Sequence, residues 1–300
     1  MKKDRKIICI IGPTASGKTG WGVSVARKFN GEIISADSRQ VYRGLDIGTG
    51  KDLEDYRDVK YHLIDICEPG VYFTMFDWLE RAREIIEDIF TRGKTPIIVG
   101  GTGLYVQALI EGFELKVESQ KSKVKRYLRE DLESKSLVEL QKIFHKLIAK
   151  SSKLKVVDLK NPHRIIRAIE KVQSGEIANK KKPDFQALQI AIDLPRDVLY
   201  ERIDRRVEER FEQGMLEEVK SLIASGVDKK WLLGLGLEYR IIGRYVLGES
   251  SQSFDKMKQE LKYKIHAFAR RQLTWFRRFP EIVWCNDLKS AEKEIKNFLL

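Results

Sequence analysis

With 300 residues, 56 Lys and Arg against 44 Asp and Glu, a net charge of +12 and a pI near 9.4, the chain can hold one large domain or two moderate ones, and its charge favours a polyanionic partner. A hydrophobic content of 42% excludes a disordered chain, and no apolar run approaches the roughly 18 residues that cross a bilayer, which excludes a membrane span and points to the cytoplasm. Cys9, Cys67 and Cys285 lie far apart in apolar runs with no C-x-x-C pair, so zinc and disulfide-exchange chemistry are set aside and the three read as buried free thiols.

In chain order, short apolar runs alternate with helical patterns over the first third, the mark of βαβ units around a parallel sheet. Ile7 to Ile11, Glu32 to Ser35, Tyr61 to Ile66 and Pro96 to Val99 read as strands, and Phe76 to Phe90 as a helix. Past Glu114 the texture turns Lys-rich, with Leu137, Leu140, Ile143, Phe144 and Leu147 at helical spacing. Between Lys116 and Gln189 stand 19 Lys and Arg against 9 Asp and Glu, so 19 minus 9 places +10 of the +12 there. Leu188 to Leu194 reads as a returning strand, with Pro195 opening a helix through Phe211. Leu261 to Phe279 is helical with six Lys or Arg and no acid, and a short apolar piece follows at Ile282 to Cys285. The expected architecture is α/β, a P-loop NTPase-like parallel sheet core from 1–115 and 190–300, with a mainly helical basic insert at 116–189.

Gly12-Pro-Thr14-Ala15-Ser16-Gly17-Lys18-Thr19 matches G-x-x-x-x-G-K-[ST] between a strand and a helix. There, backbone N–H groups and the helix N-terminus wrap phosphates, Lys18 adds a point charge, and Thr19 is placed to hold Mg²⁺. Such a loop is nucleotide-binding or ATP-binding in most of its owners, and alone it leaves ATPases, GTPases and small-molecule kinases open. Asp37, an acid at the end of the second strand, falls in the crevice where α/β sheets place their sites. A second-shell acid for Mg²⁺ or a helix cap are its other readings.

Ser35-Ala-Asp37-Ser38-Arg39-Gln40-Val-Tyr42, Asp46-Ile-Gly48-Thr49, Gly100-Gly101-Thr102-Gly103-Leu-Tyr105 and Arg270-Arg271-Gln272-Leu-Thr274-Trp275-Phe276, in this order after the phosphate loop, resemble the tRNA dimethylallyltransferases from about residue 7 to 285. The resemblance implies a prenyltransferase that moves a dimethylallyl group from dimethylallyl diphosphate to N6 of the adenosine 3′-adjacent to the anticodon of tRNA. By similarity, Asp37 orients and deprotonates the amine, the loop from Gly12 to Thr19 holds the donor's diphosphate, and Thr102 and Arg210 stabilise the leaving group. Asp37, Ser38, Arg39, Gln40 and Thr102 face the flipped adenine. His163, Arg164 and Arg167, after the helical insert, and Arg270, Arg271 and Gln272 contact the tRNA. Phe268, Trp275 and Phe276 interleave the cations of the last basic helix, a combination that suits RNA, although Trp275 reads better as core.

The chain departs from the family pattern where Lys51-Asp52 stands for the usual Lys-Pro and where Gly234-Leu-Gly236-Leu-Glu238-Tyr239-Arg240 replaces an Ile-Gly-Tyr-Lys-like element. Rival readings are a P-loop nucleotide or small-metabolite kinase, prenylation of a free nucleotide, and a non-catalytic RNA-binding protein. A monomer is expected.

Overall fold

The computed structural model describes residues 5–117, 131–132, 134–148, 158–174 and 176–300. They divide into two compact units, residues 1–110 with 183–300, and residues 111–182.

The larger unit holds a sheet of six parallel strands: β1 (Lys6–Ile11), β2 (Gly31–Ser35), β3 (Tyr61–His62), β4 (Thr95–Gly100), β7 (Gln186–Ile192) and β8 (Val283–Cys285). Their order is β3-β2-β4-β1-β7-β8, with Ile8 opposite Ile97 and Leu188, and Ile33 opposite Ile97. Central strands covered on both faces must be apolar throughout, and Ile7 to Ile11 are all buried. On one face α1 (Lys18–Lys28) and a C-terminal helix, Leu288–Leu299, pack Val23, Val25, Ala26, Ala291 and Ile295 against Ile8, Ile10, Ile33 and Ile97. On the other lie α2 (Met75–Thr91), whose Trp78 indole donates to the Ser35 carbonyl at 2.8 Å, and α3 (Gly103–Ile110). The α/β reading holds.

The strand expected over Tyr61 to Ile66 shrinks to two residues, because Leu63 and Asp65 adopt φ of 63° and 54° and leave the extended region. The Asp65 carboxylate instead pairs with the buried Lys51 ammonium. Cys9 and Cys285 are buried as expected, whereas Cys67 is only partly so.

In the smaller unit β5 (Phe113–Val117) and β6 (Glu176–Lys180) pair antiparallel, with Leu115 opposite Ala178. Helices α4 (Leu137–Ile148) and α5 (Pro162–Ser174) close on Leu140, Phe144, Leu147, Ile165, Ile166 and Ile169. Its bounds, 111–182, lie a few residues before the expected 116–189, because β5 and β6 belong to this unit while Gln186 already pairs with the core sheet.

The remaining helices complete the larger unit: α6 (Arg196–Glu212), α7 (Met215–Ala224), α8 (Lys229–Gly234), α9 (Leu237–Val246) and α10 (Phe254–Phe276), followed by α11 (Leu288–Leu299). They bury a second core around Ile203, Val207, Val219, Leu232, Ile242 and Leu261. The last basic helix therefore starts seven residues before the expected Leu261, where the Ser253 hydroxyl caps it by accepting from the Lys256 N–H.

Candidate active site

β1 and β4 are neighbours whose chain connections run to opposite sides of the sheet, so the crevice over their carboxyl ends is the topological switch point. The loop from Gly12 to Thr19 leaves β1 there, Ala36 and Asp37 leave β2, and Gly101 and Thr102 leave β4. Together with α6 and α10 they enclose a groove of about 870 Å³. Thr14, Ala15, Gly17, Lys18, Thr19, Asp37, Ser38, Arg39, Gln40, Thr102, Arg210, Arg271 and Gln272 line it, so most of the residues singled out by sequence converge on one place. Gly12 and Ser16 lie in the same loop, buried beneath its rim, with the Ser16 hydroxyl unpartnered.

The Asp37 carboxylate accepts from the backbone N–H of Arg39 at 2.8 Å and of Gln40 at 3.4 Å through the same oxygen, Oδ1. This turn fixes the side chain and leaves Oδ2 to the groove. The Thr102 hydroxyl accepts from the Ser38 N–H at 3.2 Å, and the Thr102 N–H donates to the Ala36 carbonyl at 3.2 Å, so the ends of β2 and β4 are tied together around the acid. Gln40 turns inward: its amide accepts from the Ser35 hydroxyl at 2.9 Å and donates to the Gly50 carbonyl at 3.0 Å.

Opposite Asp37 stand two arginines one helical turn apart on α6. Arg210 is 8% exposed and donates from Nη1 to the Gly48 carbonyl at 3.2 Å, while its buried Nη2 has no hydrogen-bond partner. Arg206 donates to the Thr14 hydroxyl at 3.4 Å. Burial and the neighbouring Arg206 push the Arg210 guanidinium down to about 10. The nearest counter-charges are loose: Asp52 stands 3.9 Å from Arg206 and 4.0 Å from Arg210, and Glu238, whose carboxyl burial pushes up, lies on the same wall. Both departures from the family pattern thus bring an acid toward this arginine pair. Gly50, at φ of 63°, passes between the two guanidinium groups; a Cβ there would stand 1.7 Å from Arg210 Nη2 and 1.9 Å from Arg206 Nη2.

A relay sets the Gly48 carbonyl. Glu218 accepts from the successive N–H groups of Asp46 (2.7 Å), Ile47 (2.7 Å) and Gly48 (3.0 Å), and from the Tyr239 hydroxyl at 2.8 Å. Buried Lys51 holds the same loop from its other side, donating to the Tyr42 carbonyl at 2.7 Å.

Lys18 donates to the Pro13 carbonyl at 2.6 Å. Burial and the Arg206 charge push its ammonium down to about 7, with Asp37 opposing them. A group whose folded pKa lies below its unfolded value makes stability rise with pH between the two, here from about 7 to 10.5, and contributes no slope below 7. An anion bound against Lys18 restores the charge. Binding of inorganic diphosphate at pH 8 is therefore expected to take up close to one proton through Lys18, with none at pH 6. Calorimetry in buffers of different ionisation heat measures it, and Lys18→Met removes that component.

Gln272 lines the groove and also ties it together from within. Its buried amide accepts from the Thr14 N–H at 2.9 Å and donates to the Gly101 carbonyl at 2.9 Å, clamping the phosphate loop to the β4 loop. Gln272→Ala leaves both groups unmatched and is expected to lower unfolding free energy by about 1–3 kcal/mol in denaturant titrations. Trp275, expected in the core, is half-buried in the groove wall with its indole Cδ1–Nε1 edge toward Gly103, where a Cβ would stand 2.3 Å from Cδ1. Arg270 lies on another face of α10 and does not line this groove. Arg164 and Arg167 are exposed on α5 of the smaller unit, 3.4 Å from Asp158 and Glu170, and the His163 side chain lies outside the described residues. Arg206 and Gly50 were not singled out in the sequence, and Asp52 and Glu238 were marked there only as departures from the family pattern. Arg206 stands one helical turn before Arg210, and that spacing was the available signal.

Comparison with known proteins adds an independent line. An IPP transferase family model matches residues 40–279, and an Isopentenyl transferase model matches residues 5–60. The chain is 41% identical to tRNA dimethylallyltransferase 1 of Parabacteroides distasonis, covering 98% of this chain and 96% of that one. It is 44% identical to tRNA dimethylallyltransferase 2 of Syntrophotalea carbinolica, covering 91% and 90%. The solved tRNA isopentenylpyrophosphate transferase from Bacillus halodurans superposes with a TM-score of 0.70 at 34% identity over 99% of this chain and 96% of that one. A eukaryotic dimethylallyltransferase acting on tRNA shares the fold, with a TM-score of 0.73 at 24% identity over 95% and 75%.

Proposed function

The chain belongs to the IPP transferase family, and from that premise we propose how its groove works as a tRNA dimethylallyltransferase site. The reaction moves a dimethylallyl group from dimethylallyl diphosphate to tRNA, which sets aside the kinase and the non-catalytic readings. In the finer reading the acceptor is N6 of the adenosine 3′-adjacent to the anticodon. That base is flipped from the loop at a cost of a few kcal/mol.

The observation that carries this reading is the pairing, across one groove, of an acid with an open oxygen and a phosphate loop backed by under-compensated arginines. The donor's diphosphate lies against the N–H groups from Ala15 to Thr19, with Lys18, Arg206 and Arg210 around it. The adenine enters from the Asp37 side. N6 attacks C1 of the donor, the C1–O bond breaks with its electron pair passing to the diphosphate, and the N6 proton passes to Asp37 Oδ2. Preorganised cations facing the leaving group lower the barrier where charge develops, and the Thr102 hydroxyl, whose hydrogen the Ser38 bond does not use, adds a donor on the same side.

Thr19 would hold Mg²⁺ together with diphosphate oxygens. Among the described residues no group of three His, Cys, Asp or Glu converges, which suits a Mg²⁺ that keeps its waters and takes most of its ligands from a phosphate substrate. When bound, the ion neutralises charge on the leaving group. Among the described residues no helix is long and apolar enough to cross a membrane.

Incubation with labelled dimethylallyl diphosphate, unmodified tRNA and Mg²⁺, beside an ATP-only control, tests the reading. Label is expected in the tRNA at the adenosine following the anticodon. ATP turnover without prenyl transfer would overturn it.

A further inference from the structure

Among the described residues the Arg210 guanidinium has a single hydrogen-bond acceptor, the Gly48 carbonyl at 3.2 Å, and its nearest carboxylate stands 4.0 Å away. Its aim therefore depends on where that carbonyl is held. Peptide planes in connecting segments are ordinarily free to tilt, and a carbonyl in such a segment drifts with them. The segment from Asp46 to Lys51 is pinned on two sides instead.

Glu218, in the first turn of α7, reaches across three successive peptides: Oε2 accepts from the Asp46 and Ile47 N–H groups at 2.7 Å each, and Oε1 from that of Gly48 at 3.0 Å. Consecutive amides turned on one anion fix the backbone that carries them, and the Gly48 carbonyl is left to Arg210 on α6. The Tyr239 hydroxyl, from α9, donates to the same Oε1 at 2.8 Å. Tyr239 is 1% exposed, and burial with the Glu218 charge holds its phenol well above the ordinary value, so it stays a donor. Gly48 lets this pair close on the loop, since a Cβ there would stand 2.7 Å from the Tyr239 hydroxyl and 3.2 Å from Glu218 Oε1. From the other side the buried Lys51 ammonium donates to the Tyr42 carbonyl at 2.7 Å and pairs with Asp46 and Asp65. Among the described residues no cation lies at ion-pair distance from Glu218, so its charge is directed at the loop amides and the phenol. Neither Glu218 nor Tyr239 lines the catalytic groove.

We propose that Glu218 and Tyr239 are positioning residues for the transfer: acting through the Gly48 carbonyl, they set the aim of Arg210 at the leaving diphosphate without touching substrate. This rests on the tRNA-prenylating reading. A preorganised cation stabilises developing charge only when it already stands where the charge appears, and a misplacement of about 1 Å costs much of the gain. The carboxylate and the phenol supply that placement from outside the groove.

The test is a double-mutant cycle between Glu218→Gln and Arg210→Met, read by single-turnover prenyl transfer, by inorganic diphosphate affinity and by thermal unfolding. Glutamine keeps the side-chain length but turns an NH₂ group on backbone donors, so at least one loop amide loses its acceptor in either orientation. With Arg210 present, Glu218→Gln is expected to slow transfer about ten- to a hundredfold and to weaken diphosphate binding about three- to tenfold, with tRNA affinity unchanged. In the Arg210→Met background it should change either quantity by less than about twofold, because the group it aims is gone. The stability loss should be alike in both backgrounds, so it cannot account for a rate loss confined to one. Equal fold losses of rate and diphosphate affinity in the two backgrounds would make Glu218 a structural tie and overturn the proposal. Should Glu218→Gln fail to fold, Tyr239→Phe goes through the same cycle, keeping the ring and the carboxylate while removing one donor. It is expected to lose about two- to fivefold in rate with Arg210 and nothing with Met, and equal losses refute the proposal. An intact chain that binds tRNA but transfers no prenyl group would sink the catalytic reading instead, and the cycle on diphosphate affinity would still decide this one.

Discussion

Asp37→Asn is expected to lower turnover by about 10²–10⁴-fold, the usual contribution of a positioned general base, with tRNA and diphosphate affinities within a few-fold of the original. The substitution is chosen for its geometry. Asp37 Oδ1 accepts from the N–H groups of Arg39 and Gln40, and an asparagine carbonyl accepts the same two bonds, so the turn survives. What disappears is the capacity of the second oxygen to take a proton. Single-turnover rates with preformed enzyme–tRNA–donor complex check it. A rate within threefold of the original would show that the acid positions the loop and does no proton transfer. Weakened tRNA binding with an unchanged single-turnover rate would assign Asp37 to adenine recognition alone.

The parts legible in the sequence are those whose chemistry is local. A glycine-rich loop between an apolar strand and a helix has one common backbone solution, so Gly12 to Thr19 and the strands around it could be read directly. The ordered motifs pointed to Asp37 and Thr102, each at a strand end beside the crevice, and resemblance of a separate helical stretch pointed to Arg210. What escaped depends on side-chain partners distant in the chain. Gln272 sits in a run of cations and reads as surface, but it bonds to Thr14 and Gly101, more than 150 positions away. Trp275 reads as core because nothing in the local sequence shows that its indole closes on Gly103 in the groove wall. Glu218 reads as one more acid on an amphipathic helix, yet it closes three successive amides of the Asp46 to Gly48 loop. The Tyr61 to Ile66 run fails for a related reason: a short apolar run suits a strand, but Leu63 and Asp65 take positive φ and the Asp65 carboxylate pairs with Lys51, 14 positions away.

Arg210→Met is expected to move activity and stability in opposite directions. In the free protein Arg210 is buried with an unpartnered Nη2, beside a second guanidinium and about 4 Å from its nearest carboxylate. A guanidinium whose pKa is pushed down to about 10 is charged in both folded and unfolded states below that pH, so the fold bears the burial cost across the physiological range. An apolar side chain of similar length removes that cost at the loss of one bond to the Gly48 carbonyl. By analogy with buried charges replaced by hydrophobic groups, the variant should gain about 1–3 kcal/mol of unfolding free energy. Transition-state stabilisation moves the other way: losing one preorganised donor to the leaving group is expected to cost about 10²–10³-fold in turnover. Thermal unfolding with and without inorganic diphosphate separates the alternatives. The intact chain should be stabilised by diphosphate through mass action, and the variant, already more stable, should respond far less. A variant that melts earlier and still responds fully to diphosphate would make Arg210 a structural tie to the Gly48 loop, leaving Lys18 and Arg206 to carry the phosphates.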